Sequence, residues 1–271
     1  MRTRARRGLR STVSRLAARM PGATGTPRMP RMRGVPAGVT APFWAVTGVH
    51  LVAQLGVAAG VPGAGVVAPV SKALLLPALG LVLAHRRRTA SGPLPSWWPL
   101  AAVGVTFSWF GDLALINPDL FLAGVGLFGI AQVAYAAAFV RAGDASRTAG
   151  RPALLAPYVV WWLALAGFFL ATGGVSPFLF AVALYGLALG AMAFLAHRVS
   201  PATAAGAALF VLSDSLIGLG GAGLALPAHG FWVMSTYLVA QWLIVQGLVE
   251  SSEAPIRSTT SATFAASTPR G

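Results

Sequence analysis

Residues 202–219, ATAAGAALFVLSDSLIGL, carry a single ionisable side chain, Asp214, in an otherwise uncharged apolar run. A stretch of that length and polarity is about what is needed to cross a hydrocarbon core about 30 Å thick, and it is too apolar for a helix facing water. Seven further windows of the same kind, bounded by Gly, Pro or Arg, fall near 43–60, 66–84, 97–116, 121–140, 153–171, 178–196 and 231–249. The expected fold is all-α, a polytopic membrane bundle of eight transmembrane helices over residues 41–250. Composition agrees: 56% of the 271 residues are hydrophobic and 10% are charged, against roughly 25% charged in soluble domains.

The net charge of +14 would suggest nucleic acid in a soluble protein. Position excludes that reading. All the basic residues but Lys72 are Arg, and they lie in the two tails or in alternate loops: Arg86 to Arg88, then Arg141, Arg147 and Arg151, then Arg198. The loops after spans one, three, five and seven have none. Cytoplasmic loops retain Lys and Arg, so an even number of spans with both termini cytoplasmic is expected. Residues 1–40 hold ten Arg with Pro and Gly and read as a disordered basic arm lying on anionic lipid. A transit peptide is the rival reading, and Met20, Met29 and Met32 offer later starts. The Ser- and Thr-rich residues 251–271 read as a disordered tail. Arg in place of Lys, with abundant Ala and Gly, points to a GC-rich bacterial genome and so to the cell membrane. Without Cys there is no disulfide, thiol nucleophile or thiolate metal site.

Asp112 precedes Tyr135, and Asp214 precedes Tyr237, by the same 23 residues. With four spans between the copies, this suggests a four-plus-four parallel repeat about an axis along the membrane normal. Ionisable groups in hydrocarbon cost at least about 2.5 to 3.5 kcal/mol each on insertion scales, so those retained face an interior site. Lys72 enters early in the second span, while Asp112 and Asp214 come late in the third and seventh. Given alternating directions and a rise of about 1.5 Å per residue, all three fall within roughly 10 Å of the face opposite the arginines. Tyr237 and Gln241, one turn apart, enter the eighth span at that level. Ser108 lies one turn before Asp112, and Ser213 and Ser215 flank Asp214; such hydroxyls serve a carboxylate or, more commonly, bond back to their own helix. If the two carboxyls meet, repulsion should leave one protonated and the other ionised beside Lys72, giving an acid and a base. The bland counterpart is a buried ion-pair network that locks the bundle.

Other motifs weigh less. Gly124, Gly126 and Gly129 spell GxGxxG inside an apolar span with no strand before it, a packing signal; Gly56 with Gly60 and Gly186 with Gly190 have packing spacing too. His50 and Gln54 share a helix face and read as structural, and Asp119 belongs to a solvated turn beside Asn117 and Pro118. His85, His197 and His229 lie at loops without ligand spacing, so no metal is expected.

The segment GAALFVLSDSLIGL from Gly206, followed by Tyr237 and Gln241 in STYLVAQWLIVQG, resembles the G-A-x-L-F-x-x-S-D and Y-x-x-A-Q helices of the YhhN-like family of integral membrane lysoplasmalogenases. Gly111 and Asp112 in SWFGDLAL, then Phe121, Gly124, Phe128 and Tyr135, are similar to that family's G-D helix and the stretch after it. Ser71 and Lys72 resemble its early Lys. The likeness spans roughly 43–249. One departure stands out: Gln132 occupies the place of a His often found three residues before the Tyr, so any proton transfer by that His is lost while hydrogen bonding survives.

The resemblance implies hydrolysis of the vinyl ether bond of a lysoplasmalogen-type lysolipid to a fatty aldehyde and glycerophospho-ethanolamine or glycerophospho-choline. Asp112 and Asp214 would be catalytic, one protonating the outer alkene carbon and the other activating water. Lys72, Tyr237, Gln241, Tyr135, Gln132 and Ser213 would bind substrate, and no cofactor or metal is required. The expected partners are a lysolipid and the bilayer. The rival readings are a proton-coupled transporter using the same carboxylates, and a lipid-binding membrane protein that has lost catalysis.

Overall fold

The computed structural model describes residues 35–90 and 92–252. The basic arm lies outside them up to residue 34, as does the tail beyond Ser252. The described residues form eight helices: α1 (Ala37–Ala58), α2 (Ala64–Thr89), α3 (Trp98–Ala114), α4 (Phe121–Ala142), α5 (Ala156–Gly173), α6 (Pro177–Ala196), α7 (Pro201–Gly221) and α8 (His229–Ser251), with three short 3-10 turns and no strand among them. The expected all-α membrane bundle is what forms. Ala37 to Thr40, assigned above to the arm, are already the first turn of α1.

Polarity is inverted relative to a water-soluble protein. Val52 (69% exposed), Val160 (65%) and Leu184 (71%) point outward, while His50, Ser108, Gln132 and Gln241 are fully buried. Outward-facing apolar side chains on every helix suit contact with acyl chains and would aggregate in water. Among the described residues, seven helical segments are long and apolar enough to cross a bilayer. The exception is α3, 17 residues long, which rises about 25 Å at 1.5 Å per residue. It stops where Asn117 Oδ1 accepts from Asp119 N at 3.0 Å and opens a 3-10 turn at Pro118. The catalytic candidate Asp112 therefore sits in the last turn of the shortest helix.

Consecutive helices pack as neighbours except α4 with α5, and α4 instead lies on α6. At the other end of the chain, α8 packs on both α1 and α2. Close approach depends on small residues. Gly104 and Gly111 of α3 lie under the rings of Tyr135 and Phe128 of α4, and Gly186 of α6 faces Trp162. A Cβ on Gly206 would stand 2.7 Å from Leu243 Cβ and 3.0 Å from the Ala240 carbonyl oxygen, and backbone cannot yield as a side chain does. Gly206→Val should therefore push α7 off α8 and cost about 2 kcal/mol, read as a lower denaturation midpoint in detergent. Gly60 is a correction: it takes φ +69 in the α1–α2 turn and makes no helix interface.

The described arginines gather at one end. Arg86 to Arg88 close α2, where they complement its dipole, and Arg87 lies 5.6 Å over the Trp98 ring. At the same end, Asp144 N donates to the Arg198 carbonyl at 2.9 Å and Arg198 Nε donates to Thr148 Oγ1 at 3.3 Å. The α4–α5 and α6–α7 connections are thereby tied together. Hydrogen bonds from Ser146 hold the Asp144 carboxyl below its ordinary range.

Candidate active site

Helices α2, α3, α4 and α8 converge on Asp112, which is 2% exposed. Lys72 Nζ lies 3.5 Å from Asp112 Oδ1. Tyr237 donates to Asp112 Oδ2 at 2.7 Å, Gln241 Nε2 donates to the Tyr237 hydroxyl at 3.2 Å, and Tyr135 donates to Gln241 Oε1 at 2.7 Å. Five of the sequence candidates are thus one hydrogen-bonded group. Trp109 Nε1 braces it by donating to the Ala73 carbonyl at 2.8 Å, joining α3 to the turn that carries Lys72. Tyr237 stands at its position because its ring is boxed edge-on by Phe128 and Phe210, at 6.0 and 5.3 Å between centroids.

Asp214 belongs to a second group. It accepts from the hydroxyl of Tyr185 on α6, and that hydroxyl accepts from Gln132 Nε2 of α4 at 3.3 Å. Gln132 and Tyr135 sit one turn apart on α4, so this helix serves both groups. The two carboxyls do not share a wall.

A cavity of about 550 Å³ runs between α4, α5, α6 and α7, and Asp214 and Tyr185 line it with Trp161, Phe169 and Phe128. Its polar groups otherwise include Thr172 and Ser176 near the α5–α6 connection, at the end away from the arginines. The size lies in the range of small-molecule sites. Asp112 lies outside the lining; Phe128, which lines the cavity, packs its ring on the neighbouring Gly111 and edge-on to Tyr237, the hydrogen-bond partner of Asp112. A second, apolar cleft of about 730 Å³ between α3, α4 and α6 shares Val125 and Tyr185 with the cavity and is floored by Gly126 and Gly129.

One sequence reading changes here, that of Ser213, while Ser215 and His50 take the local structural roles expected of them. Ser213 is fully buried and donates to the Val233 carbonyl at 3.1 Å, so it packs α7 on α8 and does not face the cavity. Ser215 bonds back to the Val211 carbonyl at 2.6 Å and accepts from Trp161 Nε1 at 2.8 Å, which fixes the cavity wall. His50 bonds Ser71 Oγ at 2.9 Å and Gln54 at 3.2 Å, a structural cluster beside Lys72. Tyr185 was missed by the sequence reading, though it is the one hydroxyl in the apolar run 178–196. A lone polar group in so apolar a span was the available signal. No cluster of His, Asp or Glu that could hold a metal occurs among the described residues.

The chain is similar to a lysoplasmalogenase, TMEM86A, of Homo sapiens, at 33% identity over 192 residues covering 66% of this chain and 73% of the relative. The Bos taurus lysoplasmalogenase TMEM86A is 31% identical over 188 residues, with the same shares covered. No solved structure gives a significant match. The YhhN family model matches residues 67–248, which carry every candidate residue above, and the chain therefore belongs to the YhhN family.

Proposed function

We propose that this protein is an intramembrane hydrolase that cleaves the vinyl ether of a lysoplasmalogen-type lysolipid, with Asp214 as the proton donor. Kinship with proteins named lysoplasmalogenase supports hydrolase activity. The observation that carries the assignment of roles is that Asp214 lines the cavity and Asp112 does not. Asp112, ion-paired to Lys72, supplies a fixed negative charge from outside the cavity lining. Asp214 has no cation beside it among the described residues and touches the space where substrate would lie.

The chemistry is balanced with water alone. The Asp214 O–H bond breaks as a C–H bond forms on the outer alkene carbon, leaving an oxocarbenium stabilised by the nearby carboxylates. Water adds to the carbon bonded to the ether oxygen and returns a proton to Asp214. The hemiacetal so formed then splits its C–O bond, releasing a fatty aldehyde and the glycerol hydroxyl. The polar end would sit toward Thr172 and Ser176 and the aliphatic chain would leave past Tyr185 into the second cleft. The positive-inside rule puts the arginine end in the cytoplasm, so that the cavity opens toward the outer leaflet of the cell membrane.

The test is aldehyde release from lysoplasmalogen by purified protein in detergent, where no ion gradient exists. Uptake of a solute into proteoliposomes without lipid consumption would favour the transporter instead. Chain placement has its own check. A Cβ on Gly126 meets nothing within 4 Å, so Gly126→Phe should leave the fold intact and fill the cleft. It should raise KM for a long-chain substrate about tenfold and spare a short-chain analogue; equal effects on both would place the chain elsewhere.

A further inference from the structure

The two carboxyls are approached by the same pair of groups. Gln241 donates to Tyr237, which donates to Asp112; Gln132 donates to Tyr185, which donates to Asp214. What differs is the other end of each amide. Gln241 Oε1 is held by the Tyr135 hydroxyl, so turning that amide would break an existing bond. Lys72 pairs Asp112 as well. Gln132 is fully buried and its Oε1 has no partner, so its amide can turn without losing an acceptor bond.

A carboxamide offers a donor on one side and an acceptor on the other. With Nε2 toward Tyr185, the phenol must send its single proton to Asp214, which then accepts as a carboxylate. With Oε1 toward Tyr185, the phenol donates to the amide and its oxygen accepts from a protonated Asp214. Either proton state of Asp214 is therefore fully hydrogen-bonded, and the two differ by one amide turn and one hydroxyl turn. The Gln241–Tyr237 pair is the locked counterpart.

We infer that Gln132 and Tyr185 form a reversible hydrogen-bond relay that supports Asp214 in both of its protonation states, which makes Tyr185 and Gln132 positioning residues of the reaction. This rests on the hydrolase reading above. As Asp214 turns its O–H from the Tyr185 oxygen to the alkene carbon and gives up that proton, Tyr185 turns its own hydrogen from Gln132 Oε1 to the new carboxylate and the amide swings Nε2 round. When water adds and its proton returns to Asp214, both turn back. The relay exchanges no proton with the substrate and consumes nothing.

The test uses the purified full-length chain, with kcat and KM for aldehyde release and the unfolding midpoint in the same detergent. Tyr185→Phe should lower kcat about 100-fold while KM stays within about threefold. Gln132→Met should lower kcat about tenfold, and Gln132→His, whose ring can also donate or accept according to tautomer, should recover most of that loss. Unfolding midpoints should stay near wild type throughout. Full kcat in Tyr185→Phe, or equal losses in Gln132→Met and Gln132→His, overturns the relay, as does a loss explained by a fallen midpoint. Asp214→Asn separates the two levels. If it is inactive while Tyr185→Phe is fully active, the relay alone fails; if it releases aldehyde at the wild-type rate, Asp214 is not the proton donor and the relay falls with that role; if the wild-type chain releases none, the hydrolase reading itself fails.

Discussion

Asp214→Asn should lower kcat for aldehyde release about 1,000-fold, within the range that a positioned general acid contributes, with the protein still folded. The substitution keeps size and shape, and the Asn oxygen can still accept from Tyr185, so the cavity wall is preserved. What is lost is the transferable proton. Because the side chain lines the cavity without filling it, KM should change little, and the effect should appear in kcat and kcat/KM alike, as for an interaction made only in the transition state. Asp112→Asn should cost less in kcat, since that carboxyl acts through its charge from outside the cavity lining. Steady-state aldehyde production by both variants decides the matter. An Asp214→Asn enzyme retaining a tenth of the wild-type rate would remove Asp214 from the acid role.

The second large effect is on stability. Lys72→Met should destabilise the bundle by about 3 kcal/mol, because it leaves the Asp112 carboxylate buried without its cation. Lys72 and Asp112 form the one ion pair among the described residues, and the pair links α2 to α3 at the end where α3 is shortest. Methionine reproduces the aliphatic stem, so the loss reports the charge and not the packing. The double variant Lys72→Met with Asp112→Asn should recover at least half of the loss, since no unpaired charge remains and Tyr237 still has an acceptor. Denaturation midpoints of the wild type, both single variants and the double variant form the cycle that isolates the pair. If Lys72→Met is as stable as wild type, the ammonium is not needed to hold Asp112, and a direct role with the substrate phosphate becomes the better account of Lys72.

Most of the architecture was legible from residue order. Each span announced itself because hydrocarbon admits only long, almost uncharged helices, so that Arg is confined to their ends. The ends were less legible: α1 begins at Ala37 and not at 43, α2 runs on to Thr89, and α3 stops at Ala114, just before the turn that Asn117 opens. Apolar content alone cannot register a stop made by a side-chain hydrogen bond. The polar layer was equally visible, since the expense of a charge in lipid singles out Lys72, Asp112 and Asp214 wherever they occur. Their common depth followed from the 1.5 Å rise and the alternation of direction.

Depth along the membrane normal, however, says nothing about rotation about it. Which side chains touch is set by helix azimuth and neighbour choice, through contacts between residues more than a hundred positions apart: Asp112 with Tyr237, Tyr135 with Gln241. Tyr185 entered the site for the same reason, because α6 lies against α4 and α7. The sequence by itself determined a helical membrane bundle with a lysine and two carboxyls at one level. Only the packed helices decided that Asp214 faces a cavity while Asp112 is buried outside its lining, because long-range packing, and not local periodicity, fixes the direction in which each helix turns its polar face.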